Sequence, residues 1–580
     1  MRLIMPLLVI GVVAAGRASA WAADTFAADA IEAVDKDRLG SFAIRSEGEI
    51  TPLLTDVRKV DSDALALAAG AREFGRYFDG VGKLDGGERE ALRFLAGKRR
   101  LRTTLMLAAS AADSPRGVLA VLAALLADQK GSPEVLEEYA DLVAALCVVW
   151  DAPPIGPGGQ PMDVKRAARL FRFLTANRVR LRMDPKSLPW ELAVYVARNE
   201  GGDGELYWAL ERYGRGAGLG RAFFDPPYDP GAEYASAADA AVDTPAYTLP
   251  NIVRFGGGCP ALAEYAARVA RSCGAPAAVC VPTESWGGEP QAWAAYFKAA
   301  GKGVVWDWEG GRFAEHRGWA GQVNDPQTGA WVTDGELAIT AELAVTPSKD
   351  RLASQALCKV SDVVAPEKAL EVYEKAVELS PGNVRAWAAL AELAASGNLT
   401  AAEFARVTQR LEKFAGQRYE RFLLLTWRRL VAQRPPKDQA AALEKLAKRF
   451  EKRPALAAEV RLAIADVLAG DKPAEALATL GAVLRDPVAS GGATVGAVRR
   501  VDAMLRSSGE LGRLAAIYRD VWPKLPRPRQ LPHAGTTPFY VVGTGYAAAL
   551  RDAGDISASE VVQQQLDVVL EGGSTGRRQR

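Results

Sequence analysis

A helical hydrophobic period fills this chain on both sides of one short block, roughly residues 255–343, and only that block carries strand patterning. Helices flanking a single small sheet are therefore the only economical fold, a multidomain α plus α/β architecture. Upstream, Ala64 to Tyr77, Glu88 to Leu95, Arg116 to Ala127 and Pro133 to Val149 place apolar residues at three- and four-residue intervals. Gly86-Gly87, Ser114-Pro115 and Gly131-Ser132 supply turn signals between them. The Pro- and Gly-rich stretch Asp151 to Met162 reads as a loop, after which Val164 to Ala176 and Pro189 to Ala197 resume the helical period. This all-helical layer shows no chemistry of its own.

At 580 residues the chain is too long for one core and implies about three or four domains. The pattern divides it into a signal segment (1–22), an N-terminal helical region (23–222), an α+β domain (223–350), a helical repeat region (351–570) and a disordered tail (571–580). A net charge of +2 argues against general nucleic-acid binding. The densest basic clusters, Lys98-Arg99-Arg100 and Arg577-Arg578, are short, lack interleaved aromatics and read as solvated ends.

Arg2, the apolar run Leu3 to Ala15 and the small residues around Ala18-Ser19-Ala20 and Ala22-Ala23 form an export signal, with cleavage expected after Ala20 or Ala22. The run is shorter than the ~20 apolar residues of a spanning helix. A soluble exported protein, periplasmic or extracellular, is expected, tethered to the membrane if the signal stays uncleaved.

Five cysteines, Cys147, Cys259, Cys273, Cys280 and Cys358, leave at least one without an intrachain partner. A helix from Cys259 to Cys273 holds those two about 20 Å apart, at ~1.5 Å per residue, too far to pair. Cys273 and Cys280 flank a turn and are open to two readings, a bridge or burial as small apolar residues. With no Cys-x-x-Cys pair and two histidines, His316 and His533, a structural zinc site is not indicated, and no cofactor is implied.

Within the α/β block a helix, Pro260 to Cys273, precedes strand candidates Ala277 to Pro282, Ala292 to Phe297, Val304 to Trp308 and Trp331 to Val332. Asn324-Asp325-Pro326-Gln327-Thr328-Gly329 reads as a tight turn. The Pro-rich segment Phe223 to Pro250 reads as an irregular leader that delivers the chain to Gly256-Gly257-Gly258-Cys259.

That Gly-Gly-Gly-Cys turn, Gly274-Ala275-Pro276-Ala277 and Gln291-Ala292-Trp293 follow one another in the order and spacing of the transglutaminase-like superfamily, which the block resembles. In that family the Cys opens a helix, a Gly-Ile-Pro-Ala-type turn leads into a strand, and His-Ala-Trp begins the next. The resemblance covers roughly 50 to 100 residues and implies a papain-like layout, one helix on a small antiparallel sheet, with Cys259 at the nucleophile position. The chemistry needs a thiolate, an imidazole to move its proton and a carboxylate to orient the imidazole. A helix N-terminus favours the thiolate and binds an oxyanion, and Pro260 suits the first turn because its missing N–H costs nothing there.

Gln291 stands where the family has His. A carboxamide cannot shuttle a proton, and general acid/base catalysis is worth ~10²–10⁴ in rate. Without an imidazolium partner a thiol with an ordinary pKa of about 8.5 is mostly protonated at neutral pH. Asp307, in Val304-Val305-Trp306-Asp307-Trp308, falls at the carboxylate position the resemblance implies, and His316 is the candidate substitute base. Trp286, Trp306 and Trp308 lie beside Gly turns and, with Trp293, make a composition that suits stacking on a sugar or clamping a peptide, or covering the open side of a small sheet.

Beyond Ser361, Ala369, Tyr373, Ala376 and Pro381, followed by Trp387, Leu390 and Ala391, resemble the key positions of a tetratricopeptide motif across one repeat junction. Asp438 to Phe450, Ala455 to Ala469, Pro473 to Leu484, Leu511 to Trp522 and Tyr546 to Arg551 extend a degenerate helical-hairpin solenoid, whose concave face is a usual peptide-binding surface. Three functions fit these features. One is a non-catalytic transglutaminase-like module that binds a protein, a peptide or a cell-wall polymer. The second is an active cysteine-dependent protease, amidase or acyltransferase with an unorthodox base. The third is a helical-repeat adaptor with a structural α/β insert.

Overall fold

The computed structural model describes residues 26–36, 38–152, 163–214, 218–229, 231–233, 246–283, 291–313, 319–397, 399–416, 418–432, 434–485, 491–528 and 537–574. The export signal, Trp286, His316 and His533 lie outside the described residues. Among the described residues the chain is mostly helical, with one five-stranded antiparallel sheet made of β1 (Ala277–Pro282), β2 (Trp293–Ala300), β3 (Gly303–Gly311), β4 (Gly321–Asn324) and β5 (Trp331–Thr333). Their order is β3-β2-β1-β4-β5. Strands β1, β2, β3 and β5 fall on the sequence candidates, and β4 is an addition. Its four residues, Gly-Gln-Val-Asn, are too few to carry a visible alternation. The turn at 325–329 joins β4 to β5, where Thr328 and Gln327 donate backbone N–H bonds to Asp325 Oδ1.

Helix boundaries differ from the sequence reading where capping outweighs composition. Gly86 and Gly87 open the helix Gly86–Gly97 instead of preceding it, because Asp85 accepts the Glu88 N–H and Glu88 accepts the Asp85 N–H in return. The expected helix from 133 to 149 is two, Glu134–Glu138 and Ala140–Trp150, broken at Tyr139, whose ψ of 36° leaves the helical well. Helices Phe26–Asp35, Leu39–Leu53, Arg99–Ala108 and Asp203–Tyr213 fall inside the region the sequence marks as helical without delimiting them, whereas Leu249–Phe255 lies in the segment read as irregular. The leader from Phe223 to Pro250 is therefore only partly irregular, since Thr248 caps a helix that starts at Leu249. The last helix, Ile556–Ser574, runs four residues into the expected disordered tail.

Burial, rather than linkers, organises the molecule. One apolar core runs from Ala30 to Ala341 and passes from the N-terminal helices into the sheet without a gap at residue 222. A second joins Ile50 and Leu107 of the N-terminal helices to Trp387, Phe422 and Ile464 of the repeats, and a third occupies residues 458–566. In the repeat junction Ala369–Leu379 packs on Val384–Ala395. Ala376, Trp387 and Leu390 are buried, while Ala369, Tyr373 and Pro381 are half-buried. The Trp387 indole donates to the Pro381 carbonyl (3.0 Å) and stacks on Phe414. Among the described residues no helix is long and apolar enough to cross a membrane.

Candidate functional site

The glycine turn is shaped by the leader that runs beside it. Gly256 takes φ +87°, and a Cβ there would lie 2.2 Å from the Pro227 carbonyl oxygen, so only glycine fits. The Gly257 N–H donates to that carbonyl (3.1 Å), and the Asp229 N–H donates to the Gly257 carbonyl (2.9 Å). Gly258 then caps the helix Cys259–Ser272, one residue earlier than the sequence indicated, with Cys259 in its first turn and Pro260 beside it. This helix packs on β1 and β2. At its far end the buried Arg271 guanidinium donates to the carbonyls of Ala277 (2.9 Å) and Arg198 (2.8 Å), pinning it to the start of β1 and to the N-terminal helices.

Cys259 and Gln291, 32 residues apart, meet in this structure: the Cys259 Sγ–H donates to Gln291 Oε1 at 3.5 Å. Both are buried, at 2% and 8% exposure. A bond donated by the thiol favours its protonated form, the reverse of what an imidazolium at that position would do. Burial acts in the same sense, and the helix N-terminus acts against both.

Asp307 does not join this pair. It stands opposite Tyr296, five residues along from Gln291, which is about 15 Å of extended chain. Its carboxylate is engaged by Lys298 Nζ (2.7 Å) and by the backbone N–H groups of Glu309 (3.2 Å) and Gly310 (3.1 Å). The sequence order put it on the correct neighbouring strand, but the antiparallel register carries it away from the cysteine.

The tryptophans are mostly structural in their contacts. Trp293 is fully buried beneath the Arg312 guanidinium, 4.8 Å from its ring centre. The Trp306 indole donates to Asp334 Oδ1 (2.9 Å). Trp308 is half-buried, with the Arg421 guanidinium 4.7 Å over its ring. Trp306 and Trp308 also line a cavity of ≈ 350 Å³ against Arg418, Tyr419 and Phe422.

Sequence reading missed Asp334. This carboxylate, 1% exposed, accepts from Trp306, from the Gly321 N–H (2.8 Å) and from Cys280 Sγ (3.6 Å), and so ties β3, β4 and β1 to one point. Burial pushes its carboxyl above the usual range, opposed by those donors and by Arg421 and Arg312. Thr333-Asp334-Gly335-Glu336 has the capping-box spacing, reciprocally bonded here, and would have revealed the helix start. Cys273 and Cys280 form no bridge; both are buried, Cys273 with its thiol pushed up to about 12 by loss of solvation.

No family model matches this chain, and neither a curated protein nor a solved structure matches it.

Proposed function

We propose that the chain is an exported, non-catalytic binding or scaffolding protein, in which a transglutaminase-like cysteine site without its imidazole is joined to tetratricopeptide-like repeats. The ligand is a peptide, a protein segment or a cell-envelope polymer. The observation that carries this reading is the Cys259 to Gln291 contact at 3.5 Å. An acceptor amide occupies the place of the base, so the sulfur has a neighbour that receives a hydrogen bond but cannot take the proton away. The glycine turn, the Cys at a helix N-terminus and the packing of that helix on an antiparallel sheet support the family likeness.

The test is the pH dependence of alkylation at Cys259, resolved by mass spectrometry in the purified mature protein. Cys358, pushed up to about 11 mainly by burial, and Cys273 serve as slow internal controls. Slow labelling below neutral pH is expected. Rapid labelling there, or a hydrolase or transamidase activity that disappears in Cys259→Ala, overturns the proposal.

A further inference from the structure

Between the sheet and the repeat helices lies a cavity of ≈ 250 Å³. Its walls are the ends of β1 and β4, the start of Asp334–Thr340, and the helices Glu420–Val431, Pro454–Leu468 and Gly491–Ser507. The helices Asp334–Thr340 and Glu420–Val431 come this close because Gly335 carries no side chain: a Cβ there would sit 2.9 Å from the Phe422 backbone nitrogen.

The charges lining the cavity nearly cancel. Arg421 pairs with Glu459 (3.1 Å), and Arg500 grips Asp466 through two bonds (2.7 and 3.0 Å). Asp334 is turned into its three donors, with its carboxyl held up by burial. Arg428 remains, an exposed guanidinium that forms no ion pair among the described residues. The surface beside it is aliphatic, from Leu424, Leu425, Leu462 and Ala463.

The position of the cavity is also informative. Pro282 lies opposite Gly321 in the β1–β4 pair, and the β1–β2 register, continued two residues past Cys280–Trp293, brings Gln291 abreast of Pro282. The cavity mouth and the Cys259–Gln291 pair are therefore at the same end of the sheet, about 10 Å apart across two strand spacings.

We infer that this cavity binds a carboxylate carrying an aliphatic side chain, the C-terminal residue of a peptide, with Arg428 taking the carboxylate. The inference rests on the peptide-binding reading above. A guanidinium presents two parallel N–H groups that match a carboxylate. The volume suits one aliphatic residue, below the ~300–1,000 Å³ of sites for larger ligands. From there the peptide runs back over Pro282 towards Gln291.

The experiment is calorimetric titration of the full chain with three probes: acetyl-Ala-Ala-Leu as the free acid, the same peptide as its C-terminal amide, and acetyl-leucine. The acid is expected to bind, and the amide to bind about tenfold more weakly or worse, the scale of losing a bond between charged groups. Arg428→Gln, at an exposed site with no ion pair to break, is expected to cost the acid peptide a similar factor with no change in melting temperature. Leu425→Trp, which fills the cavity, is expected to abolish binding. Equal binding of acid and amide, an unaffected Arg428→Gln, or no binding of the acid overturns the site. Acetyl-leucine binding as tightly as the tripeptide overturns the peptide assignment in favour of a free short-chain carboxylate. These failures leave the non-catalytic reading standing if Cys259 is slow to alkylate, whereas Cys259-dependent cleavage of the peptide defeats that reading whatever the cavity does.

Discussion

Arg351 Nη2 lies 2.6 Å from Asp141 Oδ1 although 210 residues separate them, and its Nη1 lies 3.0 Å from Glu191 Oε2. One guanidinium, 3% exposed, thus holds two N-terminal helices to the helix Ser348–Lys359. Arg351→Met takes the paired cation from the half-buried Glu191 and leaves the buried Asp141 with only the more distant Arg100 guanidinium (3.5 Å), a loss towards the lower end of about 3–5 kcal/mol. A downward shift of the denaturation midpoint measures it. Burial already raises the Glu191 carboxyl, with Arg351 pulling it back. A raised carboxyl contributes stability below the ordinary carboxylate range that is lost as pH rises through its folded value. The deficit of Arg351→Met is therefore expected to be larger at pH 8 than at pH 5, and a pH-independent deficit contradicts this account.

Gln291→His puts an imidazole where the carboxamide contacts Cys259 Sγ. The expected outcome is faster alkylation of Cys259 near neutral pH, by about tenfold or more, since an imidazole can accept the thiol proton and then stabilise the thiolate. Hydrolytic activity is not expected to follow, because Asp307 is committed to Lys298 and its own turn and does not orient residue 291. Labelling rates of wild type and Gln291→His that coincide across pH 6–9 contradict the proposed role of the contact.

The sequence made the Cys259 to Gln291 meeting legible because both residues sit in short, rigid motifs: a glycine turn opening a helix, and the entry to a strand. It placed Asp307 wrongly because distance along a strand depends on register, and register depends on pairing partners that linear order does not show. The boundary at residue 222 is likewise invisible in the folded core, since Leu219 and Phe223 pack into the same cluster as Tyr265 and Trp293. Composition changes there, but burial does not. Asp334, Arg351 and Arg428 were not legible at all. Each acquires its meaning from residues more than ten positions away, while locally it is one more charged residue on a helix.

Gly256→Ala tests the turn that presents Cys259. The backbone at φ +87°, ψ −164° is open essentially to glycine alone and costs a residue with a Cβ about 1–3 kcal/mol, and the Cβ would in addition lie 2.2 Å from the Pro227 carbonyl. Relief requires the 227–229 strap to lift from the turn, breaking its bonds to Gly257. The expected result is a lower melting temperature together with more rapid alkylation of Cys259 as its cover loosens. Unchanged stability and labelling would mean that the strap does not hold the turn.

Asp334→Asn separates the two parts that the carboxylate plays. The amide keeps one oxygen to accept from the Trp306 indole or from the Gly321 N–H, but it turns an NH₂ towards the other donor, so a loss of stability is expected at low pH, where the native carboxyl is neutral. As pH rises from the ordinary Asp range of about 3.8, wild type must either keep the buried group protonated or ionise it against its desolvation, because burial sets the folded value above the unfolded one. The native carboxyl's contribution is thus present below about pH 3.8 and is lost as pH rises through the folded value. The stability gap between wild type and Asp334→Asn is expected to narrow with rising pH and then level off. Denaturant midpoints of both proteins from pH 4 to 8 measure the gap, and one that widens with pH would show that Arg421 and Arg312, rather than burial, govern this carboxylate.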